Sequence, residues 1–531
     1  MHRSTSPTTR PTTRTCVLHT KTNLILCLFL WWVSVGCATN PVTGKSELSV
    51  ISESWELKTG KQQYRPMRQR QGGDYLADPE VQNYVREVGN KLAAVSDREL
   101  PYEFHVVNDG TPNAWALPGG KIAIHRGLLT ELKSEAELAA VLGHEIVHAA
   151  AKHGAKNIQR GVLLQSTVAL AGVATRDSDY ARYAELGVGL GAALISTKYG
   201  RDAERESDLY GMNYMHRAGY DPMGAVELQQ TFVNLSKDRK RNKLTELFAS
   251  HPPSEERVEA NRRHAATLPK GGIRGAARYQ QVMRRLTETK PAYEAYDEAT
   301  KAFADADFSE ARRLANKALA IEPNEARFHS LLGDIANVDD RLPGAQRHYR
   351  NAIRLNDSFF YPHLQSGLVS RDLGELAAAK RSLNRSVELL PTATAYKTLG
   401  DIAETEGNLP AAKEYYAAAS KDPGTAGQAA LTSLIKLEVA AQPGAYIDTA
   451  IGLANNGEWI IAVRNNAPRA FTAIELELVY RATDGSIQRR QLSLPGTLAA
   501  RSTRQTRTGL DANTTTNPQV RVRRVALAAD A

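Results

Sequence analysis

Residues 134–153 read SEAELAAVLGHEIVHAAAKH, from Ser134 to His153, and this stretch decides the fold of the region around it. Its Ala, Leu and Glu content, a Ser134-x-x-Glu137 capping-box start and the absence of proline predict one helix. At roughly 100° per residue, His144 and His148 lie about 40° apart on one face, so both imidazoles can reach one metal ion. Glu145 projects at the edge of the same face. There its carboxylate can meet a water on that metal without being a ligand, the general-base position of a zinc hydrolase.

Two histidines leave an ion under-coordinated, so a third ligand has to come from elsewhere. The candidate stretch is RDAERESD, residues 201–208, in which Glu204 and Asp208 share a helical face. Two His and one Glu with an open fourth position is a catalytic zinc set, one ion per chain. Asp208 is then expected to hold a ligand imidazole through its other N–H. Glu206, on another face of that helix, is the weaker third-ligand candidate.

The chain has 531 residues, 42% of them hydrophobic, enough for several cores. Its formal charge is +9, of which residues 1–36 hold Arg3, Arg10, Arg14 and Lys21 and no acid. The rest is only weakly basic, and no basic cluster is interleaved with aromatics, so nucleic acid is not an expected partner. Cys16, Cys27 and Cys37 all precede residue 38, which excludes disulfides and thiolate metal sites downstream. A polar, basic leader, an apolar run from Leu24 to Val35, and Ser34-Val-Gly-Cys37 make a secretory signal too short for a comfortable membrane span. The small residues before Cys37 resemble a bacterial lipobox, although Ser34 stands where Leu is commoner. Cys37 is therefore the expected lipidation site, with an ordinary signal peptide or an uncleaved anchor as alternatives. All three put residues after 40 outside the cytoplasm.

Around the helix, Val81, Tyr84, Val85, Val88 and Leu92 recur at helical spacing from Pro79 to Ala94 and predict a helix packed on the later one. Residues 102–107 read as a strand followed by an Asn108-Asp-Gly turn. Asn113, Ala114, Trp115 and Ala116 open a second strand, which enters a Gly119-Gly120 turn before a third strand over 121–125. A strand beside such a helix can pair with an extended peptide through its backbone edge, or the hairpin can be purely structural.

Asn113–Gly120, His144-Glu-x-x-His148 and Glu204-x-x-x-Asp208, in this order and at these separations, resemble the gluzincin metallopeptidases related to Oma and the CAAX prenyl proteases. They are most similar to the soluble bacterial branch that joins the peptidase to tetratricopeptide repeats. Ser207 and Gly200 depart from the family's commoner Ala and Ser, and neither is a ligand position. The Ser250-His251-Pro-Pro segment also matches the family. His251 is open between three parts: stabilising an oxyanion, blocking the open zinc position as a latent state, or a helix-start histidine with no catalytic duty. His153, five residues past His148, has the wrong interval for a metzincin ligand and reads as surface. The apolar runs 161–174 and 186–195 are too short and interrupted to cross a membrane and read as buried helices or a flap.

Downstream, Ala311, Ala345 and Ala379 are 34 apart, and Gly333, Gly367 and Gly400 fall 34 and 33 apart. That interval is the tetratricopeptide signature, an array with a concave groove for peptides or helices. Alternating stretches at 458–464, 473–480, 486–494 and 520–525, with an Asp484-Gly485 turn, read as a small antiparallel β domain.

The expected architecture is multidomain: a mainly α gluzincin-type zinc peptidase domain with a small β-sheet, an α-solenoid of tetratricopeptide repeats and a C-terminal antiparallel β domain. Residues 1–36 are read as a lipoprotein signal peptide, 37–60 as a tether, 61–265 as the peptidase domain, 266–295 as a linker, 296–438 as repeats and 439–531 as the β domain. The resemblance implies a zinc endopeptidase of the Gram-negative periplasm, lipid-anchored to the outer membrane, acting on misfolded or misassembled envelope proteins. Its repeats would then engage clients or the outer-membrane assembly machinery. The rival reading is a chaperone or assembly scaffold with a latent zinc site. Nothing favours a peptidoglycan or lipid hydrolase.

Overall fold

The computed structural model describes residues 37–48, 51–159, 199–237 and 245–528. Residues 1–36, read as a signal peptide, and the apolar runs at 161–174 and 186–195 lie outside the described residues. The chain divides into two compact units, Met1–Ala302 with Arg313–Glu325, and Phe303–Arg312 with Ala326–Ala531. No helix among the described residues is long and apolar enough to cross a membrane.

The first unit begins with structure where the sequence predicted a tether. Strand β1 (Cys37–Thr39) pairs antiparallel with β2 (Ser46–Leu48), and helix α1 (Glu53–Arg70) follows, capped by Ser52 Oγ, which accepts from the Trp55 amide at 3.2 Å. The stretch looked like a tether because its buried groups are polar. Glu56 is fully buried against Arg98 at 3.0 Å, and Asn40 Oδ1 closes the hairpin turn by accepting from the Val42 amide at 3.0 Å. Polar residues satisfied in this way leave no apolar period to read.

Helix α2 (Pro79–Ala93) starts on an Asp78 cap and buries Val81, Tyr84, Val85, Val88 and Leu92, as the spacing predicted. Strand β3 (Glu103–Val107) runs parallel to β5 (Lys121–His125), which pairs antiparallel with β4 (Ala114–Leu117), so the order β3-β5-β4 leaves β4 at an edge. Gly119 and Gly120, at φ +78° and +77°, make the turn between β4 and β5. Helix α3 (Glu135–Ala150) contains the quoted stretch. Ser134 Oγ accepts from the Glu137 amide at 3.2 Å, a cap stabilising by about 1 kcal/mol. All but one of its residues are buried, Glu135 included, whose carboxylate accepts from the Tyr84 and Tyr220 hydroxyls at 2.8 and 2.9 Å. Helices α4 (Arg201–Arg217), α5 (Met223–Lys237), α6 (Thr245–Ser250) and α7 (Glu255–Ala265) complete the surroundings of α3.

The predicted linker 266–295 is also folded. Helix α8 (Ala276–Val282) buries Tyr279, whose hydroxyl donates to the Leu129 carbonyl at 2.6 Å. Gly275, at φ +62°, lies where a Cβ would stand 2.6 Å from that of Glu135. Gly275 is there because the chain turns tightly against α3, while Gly272, at φ +127°, packs on the Tyr220–Asp221 backbone.

In the second unit, helices Ala326–Val338 and Leu342–Leu355, Phe360–Asp372 and Leu376–Leu389, and Ala393–Thr405 and Leu409–Ala419 form successive hairpins. The repeat residues have a packing cause. A Cβ on Gly333, Gly367 or Gly400 would stand 2.5–2.6 Å from Tyr349, Leu383 or Tyr416 of the facing helix, while Ala345 and Ala379 are fully buried. A last helix, Thr425–Ala441, lends Ile435 and Val439 to the core of the β domain. That domain is built from β6 (Ile447–Leu453), β7 (Glu458–Asn465), β8 (Phe471–Ala482), β9 (Ile487–Leu494), β10 (Thr503–Asp511) and β11 (Thr515–Leu527), in two three-stranded sheets ordered β10-β7-β6 and β11-β8-β9, with Ile461, Val463, Phe471, Ile474, Leu476 and Leu478 buried. Two strands escaped the sequence reading, β6 (Ile447–Leu453) and β10 (Thr503–Asp511), both at sheet edges.

Candidate metal centre

Helices α3 and α4 approach closely because glycine faces glycine. A Cβ on Gly143 would stand 3.1 Å from the Gly211 carbonyl oxygen, and one on Gly211 3.1 Å from the His144 nitrogen. This contact sets Glu204 of α4 beside the imidazoles of α3. His144 Nε2 and His148 Nε2 are 3.0 Å apart. Glu204 Oε1 lies 3.4 Å from His148 Nε2, and Oε2 lies 3.6 Å from His144 Nε2. His251, just past α6, brings Nδ1 to 2.9 Å from Glu204 Oε1 and 3.4 Å from His144 Nε2.

One ligand atom from each of His144, His148, Glu204 and His251 lies within 4.8 Å of the others. A tetrahedral ion with arms of about 2.0–2.1 Å has ligand separations of about 3.3 Å. The separations here straddle that value. Among the described residues, Glu145 Oε2 and Glu204 Oε2 are buried without a hydrogen bond, although Arg257 Nη1 stands 3.0 Å from the latter. Two imidazole nitrogens facing each other beside such oxygens form a donor set that a cation satisfies, so these residues fit a metal ion.

The electrostatics agree. Burial pushes the His148 imidazole well below its ordinary range, which keeps it neutral as a ligand has to be. Burial alone would raise the Glu204 carboxyl, yet the His251 and His144 charges and two histidine hydrogen bonds hold it well below normal. Burial also pushes the Glu145 carboxyl up, against the pull of His251 and His144. A carboxylate kept basic in a dry site is suited to taking up a proton.

Asp208 stands where the sequence placed it, with Oδ1 3.0 Å from His144 Nδ1. It is held in turn by Arg257, which reaches it through Nε and Nη2 at 2.8 Å each and donates to the Pro252 carbonyl at 3.0 Å. Arg257 had no assigned part in the sequence reading, although it lies only four residues past the Ser250-His251-Pro-Pro segment. The available signal was a cation three residues after the Ser254 cap, on the inner face of α7.

Two readings need correction. His153 is not on the surface: it is buried, and its Nδ1 lies 2.9 Å from His148 Nδ1. Glu206 is not a ligand candidate, because its Oε1 faces His153 Nε2 at 3.3 Å and lies outside the cluster. The misplacement has a backbone cause. A continuous helix would carry His153 about 140° around from His148, but Lys152 is left-handed at φ +60° and the chain restarts as helix at 153. Tyr199, also missed, stacks on His148 with ring centroids 3.9 Å apart.

A partly open cleft is lined by Ala114, His144, Glu145, Met212, Phe232 and Leu247 among others. Of the proposed edge strand, Asn113 Oδ1 accepts from the Ala114 amide at 3.0 Å, and Trp115 donates Nε1–H to Gln71 at 2.9 Å. The Asn113 carbonyl accepts from the His125 amide at 2.8 Å, so residues 113, 115 and 117 bond to β5 and the backbone of Ala114 and Ala116 turns outward. Cys37 heads β1.

Residues 79–265, which include every ligand candidate, match the model of Peptidase family M48. These residues form an M48 peptidase domain. The chain is similar to the mitochondrial metalloendopeptidase OMA1 of Schizosaccharomyces pombe, 30% identical over 220 residues, 41% of this chain and 63% of that one. It is 27% identical over 404 residues to the beta-barrel assembly-enhancing protease of Yersinia pestis, covering 68% of this chain and 81% of that protein. A Vibrio cholerae relative is 27% identical over 270 residues, 47% of this chain and 53% of its own length. The chain thus spans about half of the Vibrio relative and less than two thirds of OMA1. The M48 match ends at residue 265, at the end of α7, so the folded segment from α8 onward is structure beyond the matched region.

Proposed function

We propose that the protein is a zinc-dependent endopeptidase that hydrolyses misfolded or misassembled cell-envelope proteins. The observation that carries this reading is the convergence of His144, His148 and Glu204 beside a buried Glu145 with an unpartnered oxygen. His144, His148 and Glu204 would hold the ion. Zinc bound there supplies Lewis acidity, which lowers the pKa of a water and polarises the scissile carbonyl. Glu145 takes the proton of the attacking water and returns it to the leaving amine, so no covalent enzyme intermediate is required. Asp208, braced by Arg257, fixes the His144 imidazole. An extended substrate would lie along the outward backbone of β4, at the Ala114 carbonyl and at Ala116, since the Ala114 amide is held by Asn113 Oδ1; such pairing accepts any sequence because it reads only main chain.

His251 stands at the fourth corner of the cluster, with Nε2 3.6 Å from Glu145 Oε1. His251 thus stands where a fourth ligand would bind, which favours the latent part for it over the oxyanion part. The names of the bacterial relatives, the repeat array and the signal sequence support an envelope setting, with Cys37 lipidated, the protein on the periplasmic side of an outer membrane, and clients or assembly machinery engaged through the repeats. Cell fractionation of wild type against Cys37→Ser tests the anchor: a soluble wild type would remove it.

A second reading, a scaffold that binds clients with the metal site kept shut, is favoured by the same position of His251. A casein-type assay of wild type against Glu145→Gln separates the two. Cleavage by wild type alone supports the peptidase, and no cleavage by either with client binding intact supports the scaffold.

A further inference from the structure

His144 has its outer nitrogen held by a carboxylate, Asp208, whereas at His148 the corresponding place is taken, among the described residues, by another imidazole. Its Nδ1 faces His153 Nδ1 at 2.9 Å, His153 Nε2 faces Glu206 Oε1 at 3.3 Å, and Glu206 Oε1 accepts from Asn40 Nδ2 at 3.2 Å. The protons along this line have one consistent arrangement. For His148 to present a lone pair at Nε2, its proton has to sit on Nδ1 and be donated to His153. His153 Nδ1 therefore accepts, its own proton is on Nε2, and that proton points at the Glu206 carboxylate. Among the described residues, Ser207 Oγ, 3.4 Å from His153 Nδ1, is the only other hydrogen-bonding group at that nitrogen, and it is the longer contact.

We propose that His153 is a positioning residue for the metal: backed by Glu206, and through it by Asn40 of the N-terminal hairpin, it keeps the His148 proton on Nδ1 and so keeps Nε2 free to ligate. This rests on the metal reading above. It also gives the hairpin β1–β2 a part in the site. Asn40 Nδ2 reaches Glu47 at 3.2 Å as well as Glu206, and Lys156, one turn past His153, pairs with Glu47. The residues that follow Cys37 are thereby tied to a metal ligand through three side chains. An orienting partner one bond removed from the metal commonly changes metal affinity 10–100-fold when it is removed.

The test is zinc affinity of the full-length protein, measured by competition with a chromophoric chelator, together with the melting temperature of the metal-free form. His153→Leu is expected to hold zinc about 10–100-fold more weakly. His153→Asn, whose Oδ1 takes the place of Nδ1 and accepts the same N–H, is expected to recover to within a few-fold of wild type. Glu206→Ala, at a half-buried position, is expected to lose several-fold and serves if His153→Leu does not fold. Metal-free His153→Asn and Glu206→Ala should melt near metal-free wild type. Zinc held by His153→Leu as tightly as by wild type, while Glu204→Ala loses it, overturns this inference and leaves the metal reading standing. Equal weakening by Leu and Asn overturns it too, because lost packing would then explain both. A wild type that takes up no zinc overturns both readings.

Discussion

At the scale of the residue, the centre is a set of buried charges that need one another. Arg257 and Asp208 pair at 2.8 Å with both side chains almost wholly buried, and Glu204 lies 3.0 Å from the same guanidinium. Such a pair adds little over an apolar substitute, but losing one member leaves an uncompensated buried charge, a cost of about 3–5 kcal/mol. His251 is held differently, by contacts to the two glutamates. If it blocks the site, His251→Ala should raise the initial rate of casein cleavage several-fold; a rate that falls to background would instead give it a part in the chemistry. The pairing of His144 with His148 was legible in the sequence because i, i+4 spacing on a helix fixes which side chains share a face, and Glu204 does stand beside them. His153 was not legible, because a single left-handed residue at Lys152 redirects the chain and no pattern of residue types announces it. Arg257 was hidden for another reason: a buried cation has no periodicity, and only its carboxylate partners reveal it.

At the scale of the element, the site depends on how near α4 can come to α3. Gly143 and Gly211 face each other backbone to backbone, and a side chain at either has only rigid main chain to push against. Gly211→Val is therefore expected to move Glu204 away from the imidazoles and to weaken zinc binding at least tenfold, measured by chelator competition, with the helical circular dichroism retained. Unchanged affinity would show that the glycine contact does not set the ligand distance. The helices of the M48 domain and of the repeats were readable because each buries one apolar stripe at a regular interval. β10 was not, since Thr503–Asp511 is an edge strand that alternates polar with polar, and its pairing with β7 is visible only in the fold.

At the scale of the whole molecule, the two stretches read as tether and linker are packed parts of the first unit, and the error was the same in both. Polar side chains and glycines were taken for solvent-facing chain, whereas Glu56, Asn40 and Gly275 are placed by partners far away in sequence. The second unit carries a pH signature of its own. Burial pushes the Asp334 carboxyl from 3.8 up to about 6, even though the Tyr349 and Tyr361 hydroxyls donate to it at 2.7 and 3.0 Å. The folded state then binds this proton more tightly than the unfolded chain. Its contribution is full below about pH 4, is lost as pH rises through about 6, and amounts to about 2–3 kcal/mol at most. Urea unfolding of the repeat region should show wild type losing stability relative to Asp334→Asn across that window; parallel profiles would show the carboxyl to be unperturbed. For the account as a whole, the most direct measurement is the zinc content of purified wild type and Glu204→Ala after dialysis against a weak chelator. One ion per chain in wild type and none in the variant is the predicted result, and equal occupancy in both would contradict a centre built from two turns of α3 and a carboxylate of α4.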